Sequence, residues 1–371
     1  MCNFKRRNKI GFIFNDIDAF ELTKLYYGGI VFESNENLSE IVIGTTADKD
    51  TLNIYGEEIS LDEIIQKHEA VLEKVFPIYA DTINDRANDY NYQSKQAVVP
   101  AVKTAKPKVF IPVFPGTNCE YDTCRQFEKY GAQCDVLVVK NRTPQDIDET
   151  LDRAEKLINQ SNIIMIPGGF SGGDEPEGSG KFIATFFRNP KIKESVMELI
   201  KNRDGLMLGI CNGFQALIKL GLVPYGEIID MDENCPTLTF NTIGRHQSMM
   251  VNTKISSNKS PWLMYNNVGD IHSIAISHGE GRFVADKELI SKLSENGQIA
   301  TQYVDLDGKP TMNIRFNPNS SIDAIEGITS PDGRIFGKMG HSERIGSFVT
   351  KNVPGNKDQL LFKAGVDYFV K

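Results

Sequence analysis

The feature that most constrains this chain is a series of wholly apolar runs that alternates with helical segments from residue 108 onward. The runs read KVFIPV, CDVLVV, NIIMI and GLMLGI, and each precedes a segment in which apolar residues recur at helical spacing. Strands that are apolar on both faces are buried between layers of helices. The pattern therefore predicts an α/β protein with an open, mostly parallel sheet and helices on both faces.

The composition along the chain divides it into three zones. Residues 1–80 contain two strand-like stretches, YYGGIVFES and EIVIGTT, and a helical stretch after Ser60, which together predict a small α/β unit. Residues 81–107 are polar and lack periodicity, so they are interpreted as a linker. Residues 108–371 form the main domain, with a hairpin predicted around the Pro-Asp-Gly turn near its end.

Charge and composition exclude several classes of function. The net charge of −8 disfavours nonspecific binding to nucleic acid or to a membrane surface. No apolar run is long enough to cross a bilayer, and the start of the chain lacks the features of a signal peptide. The spacing of the six cysteines fits neither a disulfide framework nor a metal site, so no metal is predicted. We expect a cytoplasmic protein with reduced thiols.

Three of the four apolar runs end in glycine-rich segments, FPGTNC, PGGFSGGDE and GICNG. A single glycine at a strand end is usually structural. The carboxyl ends of parallel strands, however, meet at one edge of a sheet, where ligands bind in open α/β folds. The three segments together predict a site at which the backbone approaches a ligand closely.

Cys211 lies between the last apolar run and the helix that begins at Asn212. This arrangement is typical of a nucleophile on a sharp strand-to-helix turn, with Gly209 and Gly213 removing side chains that would clash. The positive end of the helix is expected to favour the thiolate, and its N–H groups are suited to hold an oxyanion. A buried structural cysteine is the simpler interpretation of this residue taken alone.

A nucleophilic cysteine requires a general acid and base, and two histidines are candidates. His341 is followed by Glu343, and His278 is followed by Glu280, at the same spacing. On an extended segment, residues two apart lie on one face, so each carboxylate is positioned to orient its imidazole. Spacing alone leaves both pairs open.

The motifs PGGFS, GICNGFQAL, SHGEGRF and GHSER together resemble those of class I glutamine amidotransferases, specifically the glutaminase domain of phosphoribosylformylglycinamidine synthases. The resemblance runs from about residue 106 to the end and implies a flavodoxin-like fold. The stretch GGFSGGDEPEGSGKF resembles the large single-chain form of that synthase. Residues 8 to about 80 resemble the tail of its synthase region, which implies that unpaired strand edges expose apolar surface there.

The resemblance implies a role for each motif residue. Cys211 is the expected nucleophile, His341 the acid and base, and Glu343 its partner. Many amidotransferases have proline at the position of Ser342, so this turn is expected to have one backbone constraint fewer. The expected oxyanion donors are the backbone N–H groups of Gly169, Phe170 and Asn212. The expected substrate-binding residues are Gln215, His278 and Glu280.

The function implied is hydrolysis of glutamine through a cysteine thioester, which supplies ammonia to a synthase domain or subunit. That partner uses ATP and Mg²⁺ to amidate formylglycinamide ribonucleotide in purine biosynthesis, and no cofactor is expected in this chain. Two alternatives stay open. One is an independent Cys-His hydrolase of γ-glutamyl or peptide bonds, and the other is a catalytically silent scaffold.

Overall fold

The computed structural model describes residues 10–36, 41–77, 80, 86–94, 99–100, 103–173 and 179–371. The chain divides into two compact units, Met1–Tyr79 and Ala80–Lys371, which are described separately. Among the described residues, none of the helices has the length and apolar character needed to cross a bilayer. Part of the predicted linker and part of the GGFSGGDEPEGSGKF stretch lie outside the described residues.

The first unit contains a four-stranded sheet with the strand order β2-β1-β3-β4. β1 pairs antiparallel with β2 and parallel with β3, and β3 pairs antiparallel with β4. The strands are β1 Gly11–Phe14, β2 Gly44–Ala47, β3 Thr51–Ile54 and β4 Glu57–Ser60, and the helices are Ala19–Thr23 and Leu61–Ala70.

The stretch YYGGIVFES does not form the predicted strand. Residues 26–34 have no regular secondary structure, and their apolar side chains are exposed, including Tyr27 at 95% and Ile30 at 82%. β-branched and aromatic residues favour a strand only where a neighbouring surface accepts them. EIVIGTT contributes only its last residues to β2. The helix predicted over SLDEIIQKHEAVLEKVF forms after Ser60 but ends at Ala70, before the last residues of that stretch.

The second unit is built on a nine-stranded sheet with the order β11-β10-β13-β14-β15-β8-β7-β5-β6. Its strands are β5 Lys108–Val113, β6 Gln133–Val138, β7 Ile163–Ile166, β8 Leu206–Ile210, β10 Gln247–Ile255, β11 Ile271–His278, β13 Ile299–Val304, β14 Ile325–Thr329 and β15 Ile335–Lys338. A separate two-stranded sheet pairs β9 Thr237–Phe240 with β12 Glu280–Val284.

The helices of this unit alternate with the parallel strands, which confirms the predicted α/β class. They are Glu120–Lys129, Pro144–Gln160, Lys181–Phe187, Pro190–Asn202, Asn212–Leu220, Leu222–Tyr225, Lys287–Glu295 and Leu361–Val370. Strands β15, β8, β7, β5 and β6 pair in parallel, and the remaining pairs of the large sheet are antiparallel. Every residue of β7 and β8 is buried, as expected of strands covered on both faces.

The predicted hairpin forms between β14 and β15, and it carries the His341 turn at its end. β15 also pairs in parallel with β8, so the segment after Lys338 and the segment after Ile210 leave the sheet side by side. This register joins the antiparallel half of the sheet to the parallel half. It also brings two of the motifs noted in the sequence, GICNGFQAL and GHSER, to one edge.

The described part of the interpreted linker packs along the second unit. The Tyr92 N–H donates to the Ser256 carbonyl at 2.8 Å, and the Tyr90 hydroxyl donates to Asp323 at 2.6 Å. The Asn88 amide also donates to Asp323, at 3.1 Å. Residues 86–94 therefore belong structurally to the second unit, although their sequence shows no periodicity.

Candidate active site

Cys211 occupies a strained turn between β8 and the Asn212–Leu220 helix. Its φ is 52° and its ψ is −105°, a region that residues other than glycine rarely adopt. A Cβ atom at Gly209 would lie 2.6 Å from Cδ1 of Leu217, and one at Gly213 would overlap the carbonyl oxygen of Ile166. The two glycines are therefore required for so sharp a turn, as the sequence predicts.

His341 and Glu343 form a buried pair on the turn that follows β15. Nδ1 of His341 lies 2.5 Å from Oε1 of Glu343. The His341 N–H donates to the Ala275 carbonyl at 2.8 Å, which ties this turn to β11. Burial raises the pKa of Glu343, but the charge and the hydrogen bond of His341 lower that pKa, and the net shift is downward. Glu343 is thus a carboxylate that fixes the Nδ1–H tautomer of His341.

The nucleophile candidate and the imidazole meet beside Gly168. A Cβ atom at Gly168 would lie 2.7 Å from Cε1 of His341 and 3.5 Å from Cβ of Cys211. Nε2 of His341 has no hydrogen-bond partner within the part of the chain that the structure describes. With Nδ1 held by Glu343, this nitrogen is free to accept or donate a proton next to Cys211. Of the two histidine pairs left open by spacing, this one has a direct imidazole–carboxylate hydrogen bond and lies with Cys211 beside Gly168, whereas neither ring nitrogen of His278 has a hydrogen-bond partner among the described residues.

The Cys211 thiol is protonated in this arrangement. The residue is 4% exposed, and burial, followed by the charges of Cys119 and Glu343, raises its pKa to about 12. Arg344 and the Asn212 amide lower the pKa, but by less than burial raises it. Sγ lies 3.6 Å from the Ser277 carbonyl, a contact in which the thiol is the donor. The helix terminus was expected to favour the thiolate, but desolvation dominates.

Two residues at this site were not identified from the sequence. Sγ of Cys119 lies 3.8 Å from Nδ1 of His341, and Nη2 of Arg344 donates to the same sulfur at 3.1 Å. Burial raises the pKa of the Cys119 thiol to about 12. The glycine-rich FPGTNC segment indicated the strand end on which Cys119 lies, and Arg344 directly follows the HSE motif.

Among the residues that the structure describes, the fold brings together two sets of potential metal ligands that sequence spacing does not reveal. Cys119, His341 and Glu343 form one set, and Cys124, Glu128 and Cys134 form the other. In the first set, Glu343 already binds His341 and the Arg344 guanidinium binds Cys119, so a cation would have to displace two contacts. This set is better suited to proton transfer than to metal binding.

A family model described as a CobB/CobQ-like glutamine amidotransferase domain matches residues 106–369. The chain belongs to this glutamine amidotransferase family. It is 37% identical to the phosphoribosylformylglycinamidine synthase subunit PurQ of Methanococcus maripaludis, over 71% of this chain and 98% of that subunit. It is 30% identical to the corresponding subunit of Aquifex aeolicus, over 68% of this chain and 96% of that subunit.

A solved structure, "Structure of PurLQS from Thermotoga maritima", matches this chain with a TM-score of 0.51 and 25% identity. The match covers 71% of this chain and 99% of that one. The enzyme class and the fold class expected from the motifs are thus confirmed for this amidotransferase. The comparisons do not reach the expected single-chain form.

One of the oxyanion donors expected in this amidotransferase is already used by a hydrogen bond inside the protein. The Phe170 N–H donates to the Gly116 carbonyl at 2.9 Å, so this donor is already occupied. Gly169 and Thr117 face each other in an antiparallel bridge, and the hydrogen bond from Phe170 to Gly116 lies beside them. The two residues are therefore a non-hydrogen-bonded pair, in which the Gly169 N–H points away from Thr117. The Asn212 backbone N–H forms a hydrogen bond with the Cys211 sulfur, which lowers the pKa of that thiol.

The expected substrate-binding residues are all buried and lie close together. Nε2 of Gln215 donates to the Glu280 carbonyl, and Oε2 of Glu280 accepts the Ser179 N–H at 2.8 Å. Both ring nitrogens of His278 lack a hydrogen-bond partner among the described residues. Burial, followed by the charges of His341 and His246, lowers the pKa of His278 to about 3, so its imidazole is neutral.

Proposed function

We propose that this chain is the glutaminase component of a phosphoribosylformylglycinamidine synthase. It hydrolyses glutamine to glutamate and ammonia, and the ammonia is used for ATP-dependent amidation of formylglycinamide ribonucleotide. The observation that carries the proposal is the convergence of Cys211 and the His341–Glu343 pair beside Gly168, in a chain of this family. The similarity to synthase subunits over nearly their full length supports the choice of reaction.

In the first step, Cys211 attacks the side-chain carboxamide of glutamine. Because the resting thiol is protonated, Nε2 of His341 takes its proton as the carbon–sulfur bond forms. Glu343 stabilises the resulting imidazolium through Nδ1. The Asn212 and Gly169 N–H groups are the proposed oxyanion donors. The loss of one such donor typically costs about 3 kcal/mol of barrier.

In the second step, the imidazolium of His341 transfers its proton to the leaving nitrogen, and ammonia departs from a γ-glutamyl thioester. His341 then removes a proton from water, which attacks the thioester carbonyl. Cleavage of the carbon–sulfur bond returns that proton to the Cys211 sulfur and releases glutamate. One imidazole therefore serves as base, acid, base and acid in turn.

Glutamine recognition is proposed for the region where Gln215, His278 and Glu280 meet. Gln215 and Glu280 already have partners inside the protein, which fixes their positions. His278 is the member whose ring nitrogens have no partner among the described residues, and a neutral imidazole there has one donor and one acceptor for a ligand.

The partner in this proposal is a synthase domain or subunit that binds ATP and Mg²⁺ and receives the ammonia. Ammonia that escapes into neutral water becomes ammonium, which is not a nucleophile, so the two sites must be coupled. The family match begins at residue 106, and 71% of this chain covers 98% of one PurQ relative. Residues 1–80 therefore lie outside the amidotransferase match, and we assign them, as part of this proposal, to the tail of the synthase region of a large single-chain enzyme of the cytoplasm.

The experiment that tests the glutaminase is covalent labelling with a diazo-ketone analogue of glutamine, followed by peptide mass mapping. We expect a single adduct on Cys211, which is absent from Cys211→Ser and retained in the matched Cys235→Ser control. A label on Cys119 would overturn the assignment of the nucleophile. A chain that takes no label would be a silent scaffold, and rapid glutamine turnover without a synthase would support the independent hydrolase.

A further inference from the structure

Lys338 and Glu326 form an ion pair with no solvent exposure beneath the candidate active site. Both side chains are 0% exposed, and Nζ lies 3.3 Å from Oε1. Nζ also donates to the Gly340 carbonyl and to the Ser342 hydroxyl, each at 2.9 Å. Two hydrogen bonds and one ion pair thus stabilise the buried ammonium. A buried charge is stable only when it is paired and hydrogen-bonded in this way.

The acceptors of this ammonium belong to the turn that carries the catalytic pair. The Arg344 N–H donates to the His341 carbonyl at 3.3 Å, so residues 341–344 form a β-turn with Ser342 at its second position. Proline is favoured at this position because the turn requires a φ near −60°. A serine there leaves the backbone freer than a proline would.

Hydrogen bonds replace that missing constraint. The Ser342 hydroxyl accepts from Lys338 and donates to Oε1 of Gln359 at 2.6 Å, so it is held from two sides. Oε1 of Glu326 accepts the Gly340 N–H at 2.6 Å, which fixes the residue before His341 as well. The His341 turn is therefore anchored to the buried ion pair on both sides of the imidazole.

The same lysine also anchors the nucleophile. The Cys211 N–H donates to the Lys338 carbonyl at 2.8 Å, and Lys338 is the register partner of Ile210. The main chain of Lys338 thus holds the Cys211 turn, while its side chain holds the His341 turn. One residue sets the relative position of the two groups that exchange a proton.

We propose that Lys338 and Ser342 are positioning residues for the glutaminase reaction, acting through Cys211 and His341. The inference rests on the proposed function, because it assigns no chemistry of its own to the ion pair. Proton transfer between two side chains is sensitive to displacements of about 1 Å, which can cost about a hundredfold in rate. The network therefore governs the reactivity of Cys211 without contacting the substrate.

The test compares Ser342→Ala with Ser342→Pro in the full chain. Both variants remove the hydroxyl that Lys338 binds. Only proline restores a fixed φ in the turn, although it also removes the Ser342 N–H that donates to the Gly340 carbonyl at 3.2 Å. The readouts are the rate of Cys211 labelling by the diazo-ketone, kcat and KM for glutamine, and Tm. Ser257→Ala is the matched control, because its buried hydroxyl bonds the Gly297 carbonyl at 2.7 Å away from the site.

We expect Ser342→Ala to slow labelling and kcat about tenfold or more, with KM nearly unchanged. Ser342→Pro should recover most of that loss, although its Tm falls as much as that of Ser342→Ala. An unchanged labelling rate in Ser342→Ala, or equal losses in the alanine and proline variants, would overturn the positioning role alone. A wild-type chain without label on Cys211 would overturn the proposed function and this inference together.

Discussion

The imidazole of His341 lies directly against Gly168, because a Cβ atom on this glycine would be 2.7 Å from Cε1 of the ring. The same atom would lie 3.3 Å from Sγ of Cys119 and 3.5 Å from Cβ of Cys211. The absence of a side chain at the end of β7 is therefore what allows the two candidate catalytic groups to share one space.

Gly168→Ala should inactivate the glutaminase with only a moderate loss of stability. The added methyl group must displace the imidazole, and a displacement of about 1 Å typically costs about a hundredfold in rate. Overpacking of this kind costs about 1–3 kcal/mol of unfolding free energy. The measurements are glutamine hydrolysis and urea unfolding. Ser257→Ala is the control, because its buried hydroxyl bonds the Gly297 carbonyl away from this space. Equal activity of both variants would contradict the shared space.

Glu343→Gln should slow turnover while making Cys211 easier to alkylate. The amide no longer stabilises the imidazolium or fixes its tautomer, so hydrolysis should fall roughly 10²–10⁴-fold. The negative charge of Glu343 raises the pKa of Cys211, so its removal lowers that pKa and increases the thiolate fraction. Iodoacetamide kinetics at fixed pH measure the second effect.

Arg344→Met should change the alkylation rate of Cys211 in the opposite direction, so it serves as the control for Glu343→Gln. Its guanidinium lowers the pKa of Cys211, so its loss should raise the pKa and slow alkylation. If both variants shifted the alkylation rate in the same direction, the assigned signs of the two charges would be wrong.

The alkylation rate of Cys211 in the free protein should rise steadily with pH. Burial raises the pKa of this thiol to about 12, and only the thiolate reacts. Below that pKa the thiolate fraction increases about tenfold for each pH unit, so the logarithm of the rate should have a slope near one from pH 7 to 10. Mass mapping with iodoacetamide gives the rate for Cys211 alone. A plateau near neutral pH would instead reveal a preformed thiolate–imidazolium pair.

The part of the site that could be predicted from sequence is the part that neighbouring residues in the chain determine. The Cys211 turn follows from an apolar run, two glycines and a helix, all of them local in the sequence. Its protonation state could not be predicted in this way, because burial by distant segments outweighs the local amide of Asn212. Cys119 was missed for a related reason, since it meets His341 from 222 positions away.

Errors elsewhere also follow from missing tertiary information. Residues 26–34 have strand-forming composition, but no neighbouring strand pairs with them among the described residues. Residues 86–94 lack periodicity, yet their side chains and main chain find individual partners such as Asp323 and Ser256. The expected Phe170 donor is used by Gly116, a main-chain contact with no signature in composition.

His278 should make the protein less stable in acid. Burial lowers its pKa to about 3 from 6.5, so between these values the unfolded chain binds a proton that the folded chain does not. Stability is therefore full above pH 6.5 and falls as the pH decreases toward 3, by roughly 1.4 kcal/mol per pH unit at most. His278→Leu should flatten the dependence of unfolding free energy on pH between 6.5 and 5, whereas the exposed His68→Gln should leave it unchanged. His272, whose pKa burial lowers to about 4, should preserve part of the slope. A slope equal to that of wild type in His278→Leu would show that this imidazole is not held neutral.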